Sequence, residues 1–99
     1  MAFGINREEL IQWKRRVKSG EIALLTHYWQ DSRFKGCYTV TKAGCNDINK
    51  LIDWGKKYDL KEEWIDYHSR FPHFDLFGNI QKSILLKEGY NHHIHRFNL

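Results

Sequence analysis

Apolar residues Leu10, Trp13 and Val17 recur at helical spacing among charged neighbours, which predicts a first helix after Asn6-Arg7-Glu8-Glu9. Asn6 is placed to accept from a free backbone N–H, and Glu9 to reach back in a capping box. Ser19-Gly20 ends the pattern, Gly20 being suited to the left-handed conformation that closes helices. Glu21 to Trp29 is a short apolar run of strand length, expected to be buried on both faces. A polar loop, QDSRFKG, leads to CYTVT at 37–41, rich in β-formers and expected as a second strand.

A second helix is expected over 46–58, capped by Asn46. Its inner face would carry Ile48, Leu51, Ile52, Gly55 and Tyr58, with Asn49, Asp53, Lys56 and Lys57 outside. Leu60 to Tyr67 is ambiguous between a helical turn and a short extended piece. Pro72 forces Phe71 into an extended or turn conformation. Asp75 then reads as the cap of a third helix, from about Leu76 to Glu88, with Phe77, Ile80 and Ile84 inward and Gly89 as its stop. The tail, YNHHIHRFNL, alternates weakly, as an edge strand would. The fold expected is a small α/β or α+β single-domain sandwich over residues 1–99, about three helices on a short sheet.

Composition supports one folded unit. Ninety-nine residues, 41% hydrophobic and 15% aromatic, suffice for one core without staples. Cys37 and Cys45 form neither a C-x-x-C pair nor a disulfide framework. MAFGINREEL lacks the basic start and apolar centre of a signal peptide, and no apolar run is long enough to span a bilayer. The expectation is a soluble cytoplasmic protein with reduced thiols and no membrane partner. Sixteen Lys and Arg against twelve Asp and Glu give a charge of +4, which admits an anionic partner such as nucleic acid without requiring one.

The stretches EIALLTHYW, GCYTVTKAGCNDINKLIDWGKKYDL and RFPHFDLFG resemble the YneQ-like proteins of the Bacillus group, over nearly the whole chain. A second likeness is to a bacterial domain of unknown function in which a capped helix precedes an H-aromatic-D motif. The matching positions here are Asp47 to Leu51 and His73-Phe74-Asp75. Neither resemblance implies an activity, a cofactor or a partner.

Four groups of residues could carry chemistry. His73 and Asp75, with His68 and Arg70 just before them, could bind a divalent metal or form an acid–base pair, Arg70 holding a phosphate or carboxylate. The structural alternative is a cap, a backbone-bonded histidine and core phenylalanines. His27, Asp31 and Arg33 lie at the end of the first strand, where ligands of open α/β sheets gather, or in an ordinary polar loop. Together these residues form the leading candidate: a site for a small anionic or phosphate-bearing ligand, catalytic through His73, Asp75 and His27 and ligand-binding through Asp31, Arg33 and Arg70. In the run His92-His93-x-His95, His93 and His95 would share a strand face and could chelate a metal, or the run is a solvated tail; neither cysteine has finger-like spacing, so no complete metal-ligand set is read. Arg7, Lys14 and Lys18 form a basic stripe on the first helix, able to neutralise phosphates in a nucleic-acid-binding or protein-interaction module, or simply to face solvent. Phosphate-loop, nucleophile-elbow and H-E-x-x-H motifs are absent, so whether the chain is an enzyme stays open.

Overall fold

Asn6 accepts the Glu9 N–H at 2.8 Å, and the Glu9 carboxylate accepts the Asn6 N–H at 3.4 Å, so the first helix starts on the expected capping box. In the computed structural model, residues 4–29, 33, 36–67 and 70–99 are described. Helix α1 spans Arg7–Lys18, followed by β1 (Ala23–Tyr28), β2 (Thr39–Gly44) and α2 (Ile48–Lys56). A single 3-10 turn (Glu62–Trp64) leads to β3 (His73–Leu76), α3 (Asn79–Lys87) and α4 (Asn91–Arg96). The three strands form one antiparallel sheet in the order β1-β2-β3, and the chain is a small α+β fold.

Strand alternation divides the core in two. Leu24, Ala43, Phe74 and Leu76 point to one face, where they meet Leu51 and Trp54 of α2 and Ile84 and Leu85 of α3. Ala23 and Leu25 point to the other, under Trp13 and Val17 of α1. The close approach of α1 depends on Gly44, where an added Cβ would lie 2.7 Å from the Trp13 ring. Threonines line the first face and recruit a buried polar chain. Thr39 donates to Gln81 Oε1 at 3.1 Å, and Gln81 Nε2 donates to Thr41 at 2.9 Å. Thr41 bonds Thr26 at 2.7 Å, and Thr26 bonds His93 Nδ1 at 2.9 Å.

Four local expectations change. Asp75 is no helix cap: it lies inside β3 with its side chain exposed, because Phe74 and Leu76 gain burial only if the segment is extended. Helix α3 therefore starts later, at Asn79, and no side chain caps it. The later start rotates its buried face to Gln81, Ile84 and Leu85, leaving Ile80 38% exposed. The tail is helical rather than a strand, since Tyr90, Ile94 and Phe97 recur at helical spacing and Phe97 is buried against Tyr28. On α2 the cap is Asp47, accepting the Lys50 N–H at 3.2 Å, and Trp54 joins Leu51 and Gly55 on the buried face.

Candidate metal centre

The alternation that buries Phe74 and Leu76 puts His73 and Asp75 together on the opposite, α1-covered face. An isolated β-bridge adds a third group. Asp66 donates its N–H to the His73 carbonyl at 2.8 Å, and His73 donates back to the Asp66 carbonyl at 3.3 Å. Asp66 is thereby held alongside His73 although the two are seven positions apart in the chain.

The imidazole of His73 is 4% exposed, walled on one side by the Trp13 ring at 6.4 Å in an edge-on contact. Its Nδ1 lies 2.7 Å from the Phe71 carbonyl oxygen. A carbonyl can only accept, so Nδ1 carries a proton and the neutral ring presents Nε2 as a lone pair. That lone pair faces Asp75 Oδ1 at 3.5 Å and Asp66 Oδ2 at 3.9 Å. Three acceptors therefore converge, with their ligand atoms all within 4.8 Å of one another. Such a grouping is favourable when a cation lies between them, whether a proton on the ring or a metal ion. Among the described residues, no other set of three His, Cys, Asp or Glu side chains converges in this way.

Comparison with known proteins adds a lineage. The chain is 61% identical, over the full length of both proteins, to a protein of Bacillus subtilis (strain 168) named "Uncharacterized protein YneQ". The chain belongs to the YneQ-like family. No protein-family model matches it, and no solved structure does.

In this YneQ-like chain the other residues singled out by sequence are dispersed. His27 is buried on the same sheet face as His73, but it pairs with Val40 whereas His73 pairs with Gly44. Four residues along β2 and two strands across amount to about 15 Å, too far to share one small ligand. The His27 Nδ1 turns back to the Tyr28 carbonyl at 2.8 Å. Burial lowers the pKa of His27; the Tyr28 bond opposes this, and the nearby Lys42 charge reinforces it. Asp31 and His68 lie outside the described residues. Arg33 and Arg70 are exposed, Arg70 three positions before His73.

His92, His93 and His95 lie on α4, where the His92 and His93 rings meet edge to face at 4.4 Å and His93 Nδ1 bonds Thr26, so the strand-spaced pair His93 and His95 that could hold a metal is not formed. Cys45 is buried and its thiol is pushed up by that burial, the opposite of activation. Among the described residues, no helix is long and apolar enough to cross a membrane.

The basic stripe is real as a surface. Arg7 and Lys18 are exposed and Lys14 is half-buried. The ammonium groups of Lys14 and Lys18 stand 5.5 and 5.7 Å from the centre of the Phe71 ring. Asp66 was the residue sequence reasoning missed. Its only local signal was a carboxylate beside an extended piece, and its role follows from a pairing that no local pattern specifies.

Proposed function

We propose that this protein binds a divalent cation through Asp66, His73 and Asp75, and through that cation a phosphate-bearing ligand. The observation that carries the reading is the Nε2 of His73, its Nδ1 committed to the Phe71 carbonyl, facing two carboxylates. One imidazole and two carboxylates form a mixed nitrogen–oxygen set suited to Zn2+ or Mn2+. Three protein ligands leave coordination positions open for an incoming oxygen. Charge also favours an anion there. Two carboxylates neutralise a dication, and Lys42, the cross-strand partner of Asp75, adds a positive charge beside it. Arg70, close in sequence, is available to hold the same phosphate.

Thermal unfolding and calorimetry with Mn2+ or Zn2+ against a chelator test this reading. Metal at a hundredfold excess over its Kd should stabilise the wild type by about 2.7 kcal/mol. Asp75→Asn and His73→Ala should lose that gain. A wild-type midpoint unmoved by either metal sinks the proposal.

A further inference from the structure

The outer side of α1 carries Arg7, Ile11, Lys14 and Lys18 at intervals of four, three and four, which is one continuous helical stripe. Ile11 is 42% exposed there and supplies the stripe's apolar member. Beside the stripe lies a groove of about 290 Å3 formed by Ile11, Lys14, Arg15, Lys18 and Phe71. Its floor is the half-buried Phe71 ring, braced from behind by Trp13 at 5.9 Å and covered by the two lysine ammoniums. Phe71 also belongs to the candidate metal centre, because its carbonyl fixes the Nδ1 proton of His73. One residue thus joins an aromatic, cation-rich groove to a cluster suited to a metal ion.

We propose that this groove takes a single-stranded nucleic acid, with one phosphate on the cation at Asp66, His73 and Asp75 and neighbouring phosphates on Lys14 and Lys18. The inference rests on the cation reading above and names the ligand class for it. A base stacks against Phe71 and Ile11, and the ammoniums it displaces move to the flanking phosphates. Lys14 and Lys18 are about 6 Å apart along the helix axis, a step that successive phosphates of an extended strand can follow. A duplex fits less well: α1 lies flat on the sheet with Trp13 and Val17 buried, so no helix projects into a groove. A membrane surface fits less well too, because Ile11 alone is a small apolar wedge.

The test is fluorescence anisotropy of a labelled oligothymidylate with the full chain, in Mn2+ and in chelator, across a salt series, with Mn2+ calorimetry in parallel. Mn2+ should tighten binding at least about tenfold, which corresponds to about 1.4 kcal/mol for the added metal–phosphate contact. Lys14→Gln with Lys18→Gln should weaken binding and reduce the slope of log K against log salt by about 1.4, at roughly 0.7 per phosphate. Phe71→Leu, which keeps the backbone carbonyl, should cost between about fivefold and a hundredfold through lost stacking. Asp75→Asn should abolish the Mn2+ effect. If calorimetry shows Mn2+ bound while the oligonucleotide ignores both Mn2+ and the lysine changes, the nucleic-acid inference fails and the cation reading stands. If Mn2+ does not bind, both fail. Equal affinity for duplex or for anionic vesicles also overturns the single-strand assignment.

Discussion

Asp75 shows how one residue can be singled out for chemistry and misplaced in structure. Its spacing from His73 is two, which on a strand means one face, but residue type alone marks the pair in the sequence, where no strand is expected. The same aspartate, standing before an apolar run, also looks like a helix cap. The β2 partner decided between the two, and Lys42 opposite Asp75 is a contact that no local window contains. Asp66 was illegible on the same grounds, since its place beside His73 comes from a bridge across an irregular connection. A cap would cost about 0.5–2 kcal/mol when removed. An exposed strand carboxylate facing another carboxylate should not. Asp75→Asn is therefore expected to leave urea-measured stability in chelator within about 0.5 kcal/mol of wild type. A loss well above that would mean the carboxylate carries structure rather than a ligand.

At the level of elements, length decided what could be read. Helices α1 and α2 offered several turns of periodic apolar residues, and both were placed within a few positions. Helix α4 has six residues, and of the helically spaced Tyr90, Ile94 and Phe97 only Ile94 lies within it, so packing rather than propensity holds it in place. In α3, Ile84 faces inward as expected, but Ile80 does not, and the helix starts at Asn79 because Asp75 and Leu76 belong to β3. The two helices make opposite predictions for one kind of substitution. Leu51 is fully buried under the sheet, and Leu51→Ala should cost about 2–5 kcal/mol. Ile80, expected inward from sequence, is exposed enough that Ile80→Ala should cost under about 0.5 kcal/mol. Chemical denaturation of both variants checks the assignment, and a large loss at Ile80 would return the helix to its first orientation.

Across the whole molecule, the polar chain from Thr39 to His93 ties β1, β2, α3 and α4 into one hydrogen-bonded line through the interior. Gln81 gives that line a direction. Its oxygen accepts from Thr39 and its nitrogen donates to Thr41, so Thr41 can pass its own proton to Thr26, and Thr26 to His93 Nδ1. Every hydroxyl then donates once, provided that His93 is neutral. Protonation would make Nδ1 a donor to Thr26 and leave one hydroxyl proton of the Thr26–Thr41 pair without an acceptor. The electrostatics agree: burial first, then the charges of His92 and Arg96, lower the His93 pKa from 6.5 to about 4, against the opposing pull of Glu9. The unfolded chain takes up this proton near 6.5, whereas the fold refuses it until about 4. Below 6.5 the unfolded state therefore binds more protons, and the stability contributed by His93 is present above 6.5 and lost progressively as the pH falls towards 4. His93→Asn supplies a neutral oxygen where Nδ1 accepts and cannot titrate. Denaturant unfolding of both proteins between pH 7.5 and pH 4 should show the wild type losing more stability than the variant across that window. Parallel curves would mean that His93 titrates freely in the fold, and that the buried line runs without regard to its protonation.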